Sequence, residues 1–379
     1  MTVLSNIGGT ISAKEFLEFS FEKAESFIKE ANVDFYTNFL SHSKMLKEAF
    51  PLSDLFKLII NIEDKKVLTI KEKLYGIYTC DEGYLVKSKN VKKRTYTNKK
   101  TQSALLIPFN DFMKSKEVLR LRIRSDKSCT PLKGEIETLL KYQNHEGHVP
   151  CYRVDTYKKL DVDKAELFVE KLDGPLNSLV EGTVSLEIDD LLVILMDIAA
   201  AIDDMHETGD LHGDISPRNM LFGKRNKQYV GAICDYGFST KIDTKNDLVK
   251  RGIYGAARYT APELFGLKKF QGDMKKVEIF ALGLSFYEII ERWLPNWTRI
   301  PAGWLISDND INEESIKTYQ ESVQKFVAEE KEKNKKCDQE LREVQLKKLI
   351  LEMIELDPKK RPSFQEIADG LSHIKSYCL

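Results

Sequence analysis

Leu211-His212-Gly213-Asp214-Ile215-Ser216-Pro217-Arg218-Asn219, followed by Asp235-Tyr236-Gly237, is the stretch on which the rest of the chain hangs. An apolar, helix-like run leads into it, Met220-Leu221-Phe222 follows, and a second apolar run from Tyr229 to Cys234, strand-like, delivers Asp235. Two carboxylates and an amide therefore stand at the ends of rigid elements, which is how a divalent metal and a hydroxyl are kept at fixed separation. Such a loop, with Asp, then Asn five residues later, then a second Asp at another strand end, suits phosphoryl transfer. Asp214 would take or orient the acceptor proton, while Asn219 and Asp235 would hold Mg²⁺ against the phosphates of ATP. A lone Asp-Gly among scattered carboxylates would otherwise be assigned to turns. The order of further motifs decides against that.

The stretch resembles the H-R-D-x-K-P-x-N catalytic loop and the D-F-G motif of the eukaryotic-type protein kinase family. Ala261-Pro262-Glu263 stands where that family's A-P-E closes the activation segment, preceded by Gly255-Ala256-Ala257-Arg258-Tyr259-Thr260, which resembles G-T-x-x-Y-x. Glu278-Ile279-Phe280-Ala281-Leu282-Gly283 resembles the D-V-W-S-L-G opening of the family's central buried helix. Leu356-Asp357-Pro358-Lys359-Lys360-Arg361-Pro362-Ser363 resembles the closing L-D-P-x-x-R-P. The resemblance implies an α+β, bilobal fold and an ion pair between Glu263 and Arg361.

Length and composition agree with this without discriminating further. The chain of 379 residues can bury a large core, and a net charge of -1 with 31% charged residues gives no global field for nucleic acid or membrane. Six cysteines without C-x-x-C pairs fit reduced thiols in a cytosol rather than a disulfide or zinc framework. No uncharged apolar run reaches the roughly 18 residues of a membrane span, and the N-terminus lacks a basic-then-apolar signal segment. The expectation is a cytoplasmic protein, with delivery into a host cell left open.

Taken in order, residues 1–64 are expected to form helices: Ser12 and Glu15 have capping-box spacing before the stripe Leu17, Phe21, Ala24, Ile28, Ala31. These helices pack on the following lobe or dock a partner. From 65 to 172 short alternating runs predict a β-rich small lobe with a hairpin turn at Asp81-Glu82-Gly83. Gly83 takes the place of the last glycine of the family's phosphate loop, with Tyr78 and Cys80 in the other two places. For the lysine that contacts ATP phosphates, a third strand at Ser103 to Ile107 offers Leu106 and one at Val118 to Ile123 offers Arg122; Lys87 is the candidate from a neighbouring strand. Leu132, Ile136, Leu139, Leu140 and Gln143 predict a helix over 131–145, where the resemblance makes Glu135 the pairing acid and Glu137 its alternative. It also implies a hinge at Glu166 to Leu172, with Val169 as gatekeeper and the backbones of Glu170 and Leu172 offered to adenine, and Leu221 among the nucleotide contacts.

A helical large lobe is expected from 173 to 379, with a long apolar helix over Leu191 to Thr208 and a charged helical insertion at about 305–345. Ile316, Tyr319, Val323, Phe326 and Val327 make a stripe on that insertion, expected to protrude as a solvated helix or to dock a partner. Within the catalytic loop Gly213 replaces the Arg that receives an activation-loop phosphate in many family members, and Ser216 replaces its Lys. Arg218 could neutralise the transferring phosphoryl group. The family implies ATP and Mg²⁺ as cofactors and a protein Ser/Thr hydroxyl as acceptor. Two rivals stand beside this: a pseudokinase scaffold, prompted by the thin glycine loop and missing lysine, and a small-molecule phosphotransferase, because H-G-D followed by Asn also resembles aminoglycoside and choline kinases.

Overall fold

The computed structural model describes residues 77–87, 94–96, 99–108, 116–124, 132–159, 162–242, 257–264, 272–295, 298, 313–337 and 341–376. The helices expected over 1–64, most of the basic run between Lys87 and Lys100, Ala256, Trp297 and Trp304 lie outside the described residues. The chain divides into two compact units, 1–125 with 151–171, and 126–150 with 172–379.

The smaller unit is an antiparallel sheet. Its strands are β1 (Ile77–Thr79), β2 (Gly83–Lys87), β3 (Arg94–Tyr96), β4 (Lys99–Pro108) and β5 (Lys116–Arg124), joined after an intervening helix by β6 (Cys151–Lys159) and β7 (Val162–Glu170). They pair in the order β1-β2-β4-β5-β7-β6, with β3 on β4. Asp81 and Glu82 turn the β1–β2 hairpin as the sequence predicts. Period-two alternation puts Val118, Arg120 and Arg122 of β5 on one face, where Val118 joins the buried cluster of Leu85, Ala104, Leu106 and Phe168.

The larger unit begins with α1 (Leu132–Tyr142), which buries Leu132, Ile136, Leu139 and Tyr142. Leu140, expected in the stripe, is 40% exposed, because the buried side chains repeat at i, i+4, i+7 and i+10 and position 140 falls off that face. There follow β8 (Gly174–Pro175), the short α2 (Asn177–Val180), α3 (Ile188–Glu207), β9 (Asp210–Leu211), the hairpin β10 (Met220–Arg225) and β11 (Gln228–Ile233), and β12 (Thr240–Lys241). Then come α4 (Met274–Glu291), α5 (Glu313–Lys335), α6 (Arg342–Met353) and α7 (Phe364–Ser376). Asp273 caps α4 by accepting from the Lys275 N–H at 2.9 Å. Ser363 and Glu366 close a reciprocal capping box on α7. Buried residues run around the whole circumference of α4, from Val277 to Ile289, so it is the centre of this unit's core.

The expectation of a solvated helix protruding from the large lobe is corrected here. Tyr319, Val323 and Val327 of α5 are buried with Tyr259, Phe280, Leu284, Leu351 and Ile354, because spacings of four place them on one face that the core takes up. Most charged residues of α5 face water, while Glu330 is buried against Lys347 at 2.9 Å.

Arg361 forks onto Glu263 with bonds of 2.5 and 2.8 Å, and its side chain is fully buried. It also donates to the carbonyls of Glu355 at 2.8 Å and Lys276 at 2.9 Å, so the charge is both paired and hydrogen-bonded. Glu263→Ala strands that guanidinium and is expected to cost about 3–5 kcal/mol, read as a lower urea midpoint for the larger unit; Glu263→Gln is expected to lose less.

Candidate functional site

The loop from His212 to Asn219 is held from beneath by one carboxylate. Glu278, on the first turns of α4 and 5% exposed, accepts from the Gly213 N–H at 2.6 Å, the His212 N–H at 3.2 Å and His206 Nε2 at 2.6 Å. Burial alone would raise the Glu278 carboxyl, but His206, His212 and the Gly213 N–H outweigh it and hold the group below its ordinary value. The backbone at Gly213 has φ +77°, and a Cβ there would lie 2.4 Å from the Phe238 carbonyl oxygen. Glycine is therefore demanded by both conformation and space.

His212 sits on top of this support. Its Nε2–H donates to the Cys234 carbonyl at 3.1 Å, while its Nδ1 accepts from the Asp214 N–H at 3.3 Å. The Cys234 N–H in turn donates to the Asn219 carbonyl at 2.9 Å, so the loop is stitched to the end of β11. Asn219 Nδ2 donates to Asp214 Oδ2 and to the Asp214 carbonyl, each at 2.8 Å. With its NH₂ committed to Asp214, the amide turns its carbonyl oxygen the other way. Asp235 follows Cys234 with φ +70°, and the Gly237 N–H reaches its Oδ1 at 3.4 Å. The side chains of these two residues carry an amide oxygen and a carboxylate, hard oxygen donors of the kind Mg²⁺ takes when substrate phosphates and water complete its shell. No group of three His, Cys, Asp or Glu able to hold a metal by itself occurs among the described residues.

Glu135 lies on the inner side of α1. A Cβ on Gly237 would come within 3.7 Å of its Oε2, so this carboxylate faces the Asp235-Tyr236-Gly237 turn. Glu137 instead pairs with Lys133 in solvent. The C-terminal end of α1 is tied down through Asp210, which accepts from Lys141 Nζ at 2.6 Å, Tyr142 Oη at 2.8 Å and Lys241 Nζ at 2.7 Å. Burial raises the Asp210 carboxyl, and these three donors more than reverse that, leaving it below its ordinary value.

The other expected site residues are distributed as follows. Arg218 is exposed on the loop. Leu221 is half-buried on β10, its Cα opposite Ala232 and Pro175. Leu172 is buried beside Gly223. In the smaller unit, Val169 is buried near the end of β7 and Glu170 ends that strand. Gly83 opens β2 opposite Pro108, and Lys87 ends it opposite Ala104.

Of the two candidate third strands, Val118 to Ile123 belongs to β5, the strand that directly precedes α1, and Ser103 to Ile107 to β4. Arg122 donates from Nε to Glu166 Oε1 at 2.9 Å. Arg120, which sequence reasoning passed over, is the buried cation at 2% exposure and donates to Glu166 from Nε at 3.0 Å and from Nη2. The alternation Val118-Leu119-Arg120-Leu121-Arg122 was the available signal. It showed that the two arginines share a face, but not that Glu166 lies beneath them.

Comparison with known proteins agrees. The protein kinase domain model matches residues 100–370. A protein of Acanthamoeba polyphaga mimivirus, whose name assigns it to the serine/threonine-protein kinases, is 27% identical over 57% of this chain and 75% of its own length. The Arabidopsis thaliana serine/threonine-protein kinase TIO is 29% identical over 46% of this chain and 12% of its own length. The Wee1-like protein kinase of the same plant is 26% identical over 62% and 39%. The chain thus spans well under half the length of both plant relatives.

Two outcomes are expected from the loop's support. Gly213→Ala forces a left-handed residue against a carbonyl and should cost about 1–3 kcal/mol, measured by chemical denaturation. Because the Glu278 carboxyl lies below its ordinary value of 4.5, its stabilisation is present above pH 4.5 and lost as pH falls through the lower folded value. Glu278→Gln should therefore lower stability at neutral pH and flatten the acid limb of a stability-versus-pH curve.

Proposed function

We propose that this chain, which belongs to the protein kinase family, transfers the γ-phosphoryl group of ATP to serine or threonine hydroxyls of protein substrates with the help of Mg²⁺. The observation that supports this most is the pair of 2.8 Å bonds from Asn219 to Asp214, with Cys234, the residue before Asp235, bonded to the Asn219 carbonyl at 2.9 Å.

When bound, Mg²⁺ and ATP supply an activated phosphoryl group whose charge is partly neutralised. The chain's own residues do the positioning. Asn219 locks the Asp214 carboxylate in one rotamer, so that its remaining acceptor capacity can orient the incoming hydroxyl and take its proton. Asn219 and Asp235 would hold the metal, and exposed Arg218 would offset negative charge at the acceptor side. Within the larger unit, Leu172 and Leu221 would offer apolar contact to adenine. The serine/threonine preference rests on the lead-in to Ala261-Pro262-Glu263 and on the names of the relatives. Gly213, in place of an arginine, leaves the loop ordered by Glu278 without a call on a phosphorylated residue.

A second reading, a nucleotide-binding scaffold without turnover, is favoured by one observation: both β5 arginines are engaged by Glu166. Transfer of label from ATP separates the two. Asp214→Asn is expected to lower kcat by about 10²–10⁴-fold while MgATP still binds. Asp235→Asn is expected to remove the Mg²⁺ dependence of ATP binding. A parent protein that binds MgATP yet labels neither itself nor any protein acceptor would instead support the scaffold.

A further inference from the structure

Four aromatic side chains form a buried column beside the proposed metal site. The Tyr142 ring of α1 stacks on His148 with centroids 4.7 Å apart, His148 is stacked 6.1 Å from Tyr236, and Tyr236 lies 5.7 Å from His212. All four are between 0 and 2% exposed. A phenylalanine at 236 would serve such packing. The tyrosine adds a hydroxyl, and that hydroxyl lies 2.8 Å from His148 Nδ1.

The direction of this bond follows from the burial of His148 and from what its other ring nitrogen faces. Burial pushes the His148 imidazole down to about 4, so it is neutral at working pH, with one nitrogen donating and one accepting. The Tyr236 hydroxyl can donate, and His148 Nε2 faces the carboxylate oxygen of Asp204, an acceptor, so the ring proton is drawn to Nε2. Tyr236 therefore donates to Nδ1, and the imidazole proton is left on Nε2. That proton points towards Asp204 Oδ2 at 3.5 Å, too far for a good bond, and Nε2 has no hydrogen-bond partner among the described residues. Among the described residues the bond from Tyr236 is the short hydrogen bond of the fully buried His148 imidazole, whose surroundings also include the Ala201 backbone and Asp204. If the Tyr236 ring leaves the column, a second nitrogen is stranded in a dry site.

We infer that the Tyr236 hydroxyl and His148 form a latch that holds the Asp235-Tyr236-Gly237 turn inward, and with it the Asp235 carboxylate, making His148 a positioning residue for the nucleotide–metal site. The latch rests on the proposed metal role of Asp235, one residue from the ring that is held. It has work to do there: Asp235 has φ +70°, a conformation that a non-glycine residue keeps only when its surroundings impose it.

The test uses the full chain and three variants. Tyr236→Phe removes one oxygen and keeps the ring, His148→Phe keeps an aromatic disc without an acceptor, and His148→Asn restores an acceptor near the Nδ1 position. Two readouts are taken: hydrogen exchange of the amides of residues 235–239 without nucleotide, and equilibrium affinity for MgATP against adenosine alone. Tyr236→Phe and His148→Phe should each speed exchange at 235–239 and weaken MgATP binding by about five- to tenfold, the worth of one neutral hydrogen bond. Adenosine affinity should hold, and His148→Asn should recover most of the loss. Parent-like exchange in Tyr236→Phe would overturn the latch, as would equal loss of MgATP and adenosine affinity, which would mark a general structural defect. If the parent itself binds MgATP no better than metal-free ATP, the metal role proposed for Asp235 fails, while the exchange arm still decides whether the hydroxyl holds the turn.

Discussion

The structure of the site depends on a single buried carboxylate. Glu278 would be costly to bury alone, and it is accommodated because three donors from two segments converge on it: the His212 and Gly213 amides and the His206 imidazole. The dependence runs both ways. The amides of a sharply turned loop have found their acceptor, and the loop cannot shift without leaving that charge unpaired. Because α4 is buried around its whole circumference, Glu278 is carried on an element held by packing on every side. Preorganisation of Asp214 and Asn219 is thus inherited from core packing.

The same helix steadies the segment that ends at Glu263. Tyr259 donates its hydroxyl to Glu288 and packs against Val277, Phe280 and Leu284. Lys276 donates to the carbonyls of Arg361 and Pro362 at 2.7 and 3.1 Å, and Arg361 returns to Glu263 and to the Lys276 carbonyl. α5 closes this side by inserting Tyr319, Val323 and Val327. Loop and segment therefore share a common post, and their relation to one another is set by α4. On the other side, α1 is fastened through Asp210 and the Tyr142 ring, so the helix bearing Glu135 is anchored in the same unit as Asp235.

How much of this could be foreseen varies with the physics involved. That the loop bearing Asp214 and Asn219 would be joined to the strand end before Asp235 was legible from the apolar runs that flank both, and the Glu263–Arg361 pair followed from motifs at both ends. The role of Glu278 was not, since a longer acid in place of Asp does not announce which amides it will meet. His148 follows Gly147 in what reads as a loop, and nothing local says that it will be dry and face a tyrosine 88 residues later. In the smaller unit, Arg120 and Arg122 acquire meaning only from Glu166 on a strand more than 40 residues away. The stripe of α5 was visible, but the surrounding charge concealed that the core would absorb it. Helix periodicity gives a face and not the neighbour it meets.

The proposed placement of Asn219 and Asp235 on one cation beside a nucleotide is tested most directly by replacing Mg²⁺ with paramagnetic Mn²⁺ and following the side-chain amide resonance of Asn219. Mn²⁺ added with ATP should bleach that resonance, and neither ATP without metal nor Mn²⁺ with the Asp235→Asn protein should do so. An Asn219 signal that survives saturation with Mn²⁺ and ATP would place the metal elsewhere and contradict the proposed site.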